Sequence, residues 1–88
     1  TDLSPEKAEL VASECRKLGG RAIAAKCDVT SEEDQIRVVR QAISNFGKIT
    51  ILVNNAGGGG PKPFDMPMSD SEWAFQLNLF SVFRLCQL

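Results

Sequence analysis

The chain has 88 residues, a formal net charge of −1 and 24% charged residues, so its length allows one domain at most. The near-neutral balance without a basic cluster argues against nucleic acid as the main partner, and no apolar run reaches the roughly 18 residues that a membrane span needs. The three cysteines form no CxxC pair and histidine is absent. Neither a metal site nor a disulfide framework is therefore expected, and a reducing, cytoplasmic compartment is predicted.

The first predicted helix begins after Ser4, which is a suitable N-cap residue. Pro5 suits the first helical turn, and Glu6 complements the positive end of the helix dipole. Apolar residues then recur at helical spacing as far as the Gly19-Gly20 pair, which predicts the end of the helix. The apolar positions are Ala8, Val11, Ala12, Cys15 and Leu18.

A buried strand is predicted for residues 21–27, a short and mainly apolar run. The sequence that follows, Thr30 to Glu33, fits a capping box in which Thr30 accepts from the third helical amide and Glu33 reaches back. The second helix is expected to continue to Gly47. Its apolar stripe consists of Ile36, Val39, Ile43 and Phe46.

Residues 49–53 predict a second strand, and a loop rich in glycine and proline follows it. Ser69 and Glu72 fit another capping box, which predicts a third helix from about Asp70 to the end of the chain. Helices alternating with strands at these intervals indicate an α/β fold with a parallel sheet, in the order helix-strand-helix-strand-helix.

Two parallel strands need neighbours on both edges, and the last helix is apolar on nearly all sides. The chain also starts at Thr1 rather than at Met and stops at Leu88 within that apolar pattern. We therefore expect the 88 residues to be a segment of a longer polypeptide.

Polar residues stand at the ends of the predicted strands, where parallel sheets bind ligands. Asp28 follows one strand, Asn54 and Asn55 follow the other, and Asp2 precedes the first helix. A carboxylate at such a point can accept hydrogen bonds from ribose hydroxyls or from an exocyclic amine. Asp28 can equally be a turn residue before the helix cap, and Asp2 a solvated terminal residue.

The glycine run 57–60 follows the asparagines. It permits close approach of the backbone to a ligand, or it is a flexible linker. Three prolines within residues 61–67 favour a shaped loop over a flexible one. Asn54 also fits a structural turn role, because asparagine satisfies neighbouring amides.

Asn78 lies among apolar residues of the third predicted helix. An unpaired amide there would cost about 1–3 kcal/mol. Asn78 is therefore either a structural pin bonded to nearby backbone or an anchor for water and polar groups at a site.

These features in this order resemble the short-chain dehydrogenase/reductase family. The resemblance rests on Asp2 after a strand, on Cys-Asp-Val-Thr at 27–30, on Ile-Leu-Val-Asn-Asn-Ala-Gly at 51–57, and on Leu-Asn-Leu at 77–79. It covers the whole chain but only part of a family member. It implies that residues 1–88 are a partial NAD(P)-binding domain of doubly wound Rossmann type, lacking the first βα unit and the C-terminal catalytic half.

The resemblance implies a role in binding NAD for six residues of the chain. Asp2 would hold the adenosine ribose hydroxyls and repel a 2′-phosphate, which selects NAD over NADP. Asp28 and Val29 would lie at the adenine. Asn55, Ala56 and Gly57 would run along the cofactor, and Asn54 would mainly stabilise the sheet.

The resemblance also implies a catalytic role for Asn78, which would hold a water of the proton relay, and a substrate contact for Gly59. The loop 57–68 is similar to that of the family's NAD-dependent hydroxysteroid dehydrogenases. This implies oxidation of a secondary alcohol, the 7α-hydroxyl of a bile acid or steroid, by a homotetramer.

Two alternatives remain open. A related reductase could carry the same loop and act on another substrate.

The second alternative concerns catalysis. The family's catalytic tyrosine has no counterpart, since the chain contains no tyrosine, and the lysine paired with it is missing too. The 88 residues alone are therefore expected to be inactive, and a non-catalytic fragment that only binds or assembles is the second hypothesis.

Overall fold

The computed structural model describes residues 1–58 and 67–88, and helices dominate this part of the chain. The three predicted helical regions are confirmed, with the third divided by a π-helical turn. The elements are α1 (Pro5–Lys17), α2 (Glu32–Phe46), α3 (Met68–Phe75), the π-helical turn Gln76–Phe80, and α4 (Ser81–Gln87). Among the described residues, no helix has the length and apolar character needed to cross a membrane.

Helix α1 begins and ends as its sequence predicts. The Lys7 amide donates to the Ser4 hydroxyl oxygen at 3.4 Å, and Gly19 adopts a φ of +92° just beyond the helix, a conformation that glycine tolerates best. Only Ala8 and Ala12 of the predicted stripe are buried within α1. Arg16 fastens the helix to the next segment, since its Nε donates to the Ala22 carbonyl at 2.9 Å.

The strand predicted at 21–27 is present only as one isolated parallel bridge between Asp2 and Lys26. The Asp2 amide donates to the Ala25 carbonyl at 3.3 Å, and the Cys27 amide donates to the Asp2 carbonyl at 3.0 Å. The described residues contain no strand at 49–53. A strand exists only when backbone partners lie alongside it, and the side chains of Ile51 and Val53 are 80% and 78% exposed. The predicted sheet is therefore not confirmed here.

The predicted capping box of α2 is wrong by one residue. The N-cap is Ser31, whose hydroxyl oxygen accepts from the Asp34 amide at 3.2 Å. The Thr30 hydroxyl instead donates to the Asp28 carboxylate at 2.6 Å. Asp28 forms a local turn that occupies Thr30, so the next hydroxyl along the chain becomes the cap.

The predicted capping box of the third helix is also wrong. Helix α3 begins at Met68, two residues before the predicted start, with Pro67 as N-cap and no side-chain cap bond. Ser69 lies inside the helix because the Asp70 amide already bonds the Pro67 carbonyl at 3.0 Å. The π-helical turn that follows is centred on Asn78, and such turns occur frequently at functional sites.

The buried core of the described chain is small and consists of Ala8, Ala12 and Cys27. Helices α2 and α4 contact each other, with the fully buried Gln35 between them. Large apolar side chains of α3 and α4, such as Trp73 and Phe83, are more than half exposed. The radius of gyration of 15.1 Å exceeds the about 12 Å expected for a compact domain of this length. Apolar surface therefore remains uncovered by the described residues.

We expect Ser31→Ala in the complete polypeptide encoded by the gene to lower the free energy of unfolding by about 1 kcal/mol, because the Asp34 amide loses its cap. Urea denaturation measures this change. Ser44→Ala makes the same substitution near the other end of α2 and should change the free energy by less than about 0.5 kcal/mol. Equal losses in the two variants would contradict the assignment of Ser31 as the cap.

Candidate functional site

A groove of about 1090 Å³ lies between the turn 27–30, the segment 48–58 and helices α2 and α4. It brings together all the residues that the sequence predicts to bind a cofactor. These are Asp2, Asp28, Val29, Asn55, Ala56 and Gly57. Asn78 contacts the groove through Gly58. The predicted substrate residue, Gly59, lies outside the described residues.

The parallel bridge places Asp2 beside residues 25–27 and close to the turn that contains Asp28. The Asp2 Oδ1 accepts from the Ser4 amide at 2.9 Å. This bond fixes the start of the chain against the N-cap of α1, while the residue as a whole stays exposed. Asp2 is thus an ordered part of the groove rather than only a solvated terminal residue.

The Asp28 carboxylate forms a local turn before α2, which is the structural role that the sequence allowed for it beside a role in binding a ligand. Its Oδ1 accepts from both the amide and the hydroxyl of Thr30, at 2.9 and 2.6 Å. Both bonds use the same oxygen. Within the described part of the chain, Oδ2 therefore remains available to a donor in the groove, so the turn role and a ligand role are compatible.

A clamp from α2, which the sequence analysis missed, holds this turn. The Asp34 Oδ2 accepts from the Asp28 amide at 2.9 Å, and its Oδ1 pairs with Arg37 at 3.0 Å. Arg37 in turn donates to the Lys26 carbonyl at 2.7 Å. The sequence did contain a signal for this clamp. Asp34 and Arg37 are three residues apart in the first turns of a predicted helix, and this spacing places their side chains next to each other.

The clamp and the burial of Cys27 set the ionisation of this region. The hydrogen bond from the Asp28 amide, followed by the bond from Arg37, holds the pKa of the Asp34 carboxyl below its ordinary value. Burial, followed by the charge of Asp34, raises the pKa of the Cys27 thiol. Cys27 is therefore a neutral packing residue and not an activated nucleophile.

Asn78 pins the glycine segment to the helix. Its Oδ1 accepts from the Gly58 amide at 3.2 Å, and its Nδ2 donates to the carbonyls of Gly58 and Ala74, both at 3.0 Å. The structural pin proposed from the sequence is thus observed. A side chain that bonds a carbonyl one turn earlier also accompanies helix irregularity, in keeping with the π-helical turn at this point.

The absence of a side chain at Gly57 is required by this pin. A Cβ atom at Gly57 would lie 2.9 Å from the Asn78 Oδ1, whereas one at Gly58 would lie 3.3 Å from the Leu77 Cδ2. The first distance forces the carboxamide to move, and the second needs only a small shift of an apolar side chain. Because Gly57 has no side chain, the backbone at 57–58 can lie against Asn78. The same two glycines also line the groove.

Comparison with known proteins identifies the family. The model of the family described as short chain dehydrogenase matches residues 1–88. The 7alpha-hydroxysteroid dehydrogenase of Escherichia coli (strain K12) is 53% identical over 88 residues, which are 100% of this chain and 34% of that protein. The chain belongs to the short chain dehydrogenase family and spans about a third of the length of the curated relatives it matches.

Solved structures of the same family share the fold. A 7 alpha-hydroxysteroid dehydrogenase complexed with NADH and 7-oxo glycochenodeoxycholic acid is 54% identical, with a TM-score of 0.91 over 94% of this chain and 32% of that chain. A hydroxysteroid dehydrogenase from Escherichia coli is 53% identical, with a TM-score of 0.93 over 98% of this chain and 37% of that chain. The described helices and loops therefore follow the path of these dehydrogenases.

We expect Asp34→Asn to reduce the pH dependence of stability in acid. Since the folded pKa of Asp34 is lowered, its stabilising contribution is complete above the unfolded value of about 3.9 and is lost as pH falls through the folded pKa. Urea denaturation at pH values from neutral down through this range should show a smaller loss in the variant. Glu33→Gln is the matched control, and an equal change in both variants would contradict the clamp.

We expect Gly57→Ala to lower the free energy of unfolding by about 1–2 kcal/mol, because the new Cβ displaces the Asn78 carboxamide from Gly58. Gly58→Ala should cost less, since it meets only apolar side-chain atoms. Urea denaturation of the complete polypeptide checks both values.

The same experiment in an Asn78→Ala background tests the cause of that loss. With the carboxamide removed, Gly57→Ala should have a smaller effect than in the parent protein. Full additivity of the two substitutions would show that Gly57 and Asn78 do not interact in this way.

Proposed function

We propose that the complete protein is an NAD-dependent oxidoreductase that oxidises the 7α-hydroxyl group of bile acids or related steroids. The observation that carries this proposal is that one groove gathers all the described residues predicted to bind a cofactor, with Asn78 bonded to its glycine wall. The relative that matches the whole chain at 53% identity is named for the 7α-hydroxysteroid reaction, and this supports the choice of substrate.

The residues of the groove fit an adenine dinucleotide. The Oδ2 of Asp28, which accepts no hydrogen bond from residues 1–58 or 67–88, suits the exocyclic amine of adenine beside Val29. The exposed carboxylate of Asp2 suits two ribose hydroxyls. A second phosphate on that ribose would face the negative charge of Asp2. NAD is therefore the proposed cofactor, and when bound it accepts the hydride of the alcohol.

Asn55, Ala56 and Gly57 are proposed to lie along the cofactor. They are exposed on the groove, and Gly57 has no side chain to hold the ligand away. The proposed role of Asn78 is to keep this backbone in place and to hold a water of the proton relay. Gly59 is proposed to contact the substrate, one residue beyond the described loop.

Residues 1–88 are proposed to form part of a doubly wound, parallel-sheet Rossmann domain, without its first βα unit and catalytic half. The parallel direction of the bridge between Asp2 and Lys26 supports this arrangement. The exposed apolar side chains of α3 and α4 support self-association, for which we propose a homotetramer. A cytoplasmic location remains a prediction.

The first experiment is an assay of the complete polypeptide, whose intact mass is first measured by mass spectrometry. We expect NADH to form from NAD with a 7α-hydroxy bile acid and not with the counterpart that lacks the 7-hydroxyl. Activity on other secondary alcohols alone would exclude the proposed substrate. An intact mass equal to the 9.6 kDa of these residues would favour the alternative, a non-catalytic binding or assembly fragment.

The cofactor preference is tested separately with Asp2→Asn. This change keeps an acceptor for the Ser4 amide and removes the charge, so we expect the ratio of kcat/KM for NAD to that for NADP to fall by about tenfold, equivalent to about 1.4 kcal/mol. Glu14→Gln, the same change of charge on the exposed surface of α1, should leave the ratio unchanged. An unchanged ratio in Asp2→Asn would contradict the role of Asp2.

A further inference from the structure

Gln35 in α2 is the largest fully buried side chain of the described residues, with 0% of its surface exposed. Its Nε2 donates to the Val29 carbonyl at 2.7 Å and to the Ser81 carbonyl at 2.9 Å. Both partners are acceptors, so only the nitrogen of the carboxamide can face them. The orientation of the amide is therefore determined by its two bonds.

The two carbonyls belong to two different segments that line the groove, which are its two walls here. Val29 follows Asp28 in the turn proposed to lie at adenine, whereas Ser81 opens α4 directly after the π-helical turn that holds Asn78. Within residues 1–58 and 67–88, this is the one side-chain hydrogen bond that joins α2 to the C-terminal helices. Ser81 is itself 2% exposed, so the junction is shielded from solvent.

Packing alone does not explain an amide at this position. The Oε1 of Gln35 has no hydrogen-bond partner among the described residues, and burying a polar atom without a partner is destabilising. An unbranched apolar side chain of similar volume would fill the space without that penalty. An apolar side chain could not donate the two hydrogen bonds to the Val29 and Ser81 carbonyls.

We propose that Gln35 is a positioning residue that couples the turn at Asp28 and Val29 to the helix segment that carries Asn78. This inference rests on the proposed function for the roles of the two walls. A ligand that orders the turn through Asp28 thereby orders the start of α4, because both are bonded to one buried amide group. Gln35 touches neither the cofactor nor the substrate.

The first test uses ADP, which carries adenine and ribose but no nicotinamide. In the complete protein, we expect ADP to slow hydrogen exchange of the amides at 28–30 and also of those in α4. Slowing at 28–30 without any effect in α4 would overturn the coupling and leave the proposed function standing. No slowing at 28–30 would overturn the adenine site itself, and with it this inference.

The second test is Gln35→Met, which keeps the length and approximate volume of the side chain and removes both donors. We expect the effect of ADP on α4 to disappear, KM for NAD to rise by about two- to tenfold and kcat to fall, since both donated hydrogen bonds are lost. Gln41→Met makes the same change at a half-buried position of α2 and should leave all three quantities unchanged.

A purely structural role gives a different result. Gln35→Met would then lower the midpoint of urea denaturation while KM for NAD, kcat and the exchange pattern with ADP stayed at their original values, which would overturn the proposal. The exchange experiment on the unsubstituted protein decides the question even where Gln35→Met does not fold.

Discussion

The buried carboxamide of Gln35 is the contact on which the arrangement of the described chain depends. The fully buried apolar core within these residues is small, so directional hydrogen bonds contribute much of what fixes the turn at 28–30 relative to α4. A buried hydrogen bond has a defined length and direction, whereas apolar contact is non-directional. The Gln35 amide donates to two carbonyls, one on each wall of the groove, and so constrains the distance between them. This constraint on geometry matters more than the modest net free energy of the two hydrogen bonds.

The same principle recurs at both walls. Asp34 bonds the amide of Asp28, Arg37 bonds the carbonyl of Lys26, and Asn78 bonds both backbone groups of Gly58. In each case a side chain on a helix holds the backbone of a segment that has no regular secondary structure. Such segments contain unpaired amides and carbonyls that need partners. The helices supply these partners, and the groove is thereby shaped by polar contacts along its edge.

Helix positions could be predicted from the sequence because they depend on local spacing and on caps, as at Ser4 and Gly19. The caps at Thr30 and Ser69 were misassigned for different reasons. Asp28 occupies the Thr30 hydroxyl, so Ser31 caps α2, whereas α3 begins before Ser69, at Met68, without a side-chain cap bond. The strands could not be verified, because pairing depends on segments distant in sequence. Gln35 and the clamp of Asp34 and Arg37 were missed for a similar reason. A glutamine or an acid in the first turns of an amphipathic helix resembles a solvated residue until the packing around it is known.

Structural and functional interpretations of Asp28 and Asn78 were treated as alternatives in the sequence, and the geometry shows that they need not exclude each other. Asp28 forms its turn through Oδ1 only, so the turn holds the second oxygen in a fixed direction. Asn78 is pinned by three hydrogen bonds, and the role proposed for it, holding a water of the proton relay, requires a side chain that is held in place. A residue with free rotation would lose conformational entropy each time a ligand bound. The local bonds that stabilise the turn and the π-helical segment have already ordered Asp28 and Asn78. Their structural roles therefore favour, rather than oppose, the binding roles proposed for them.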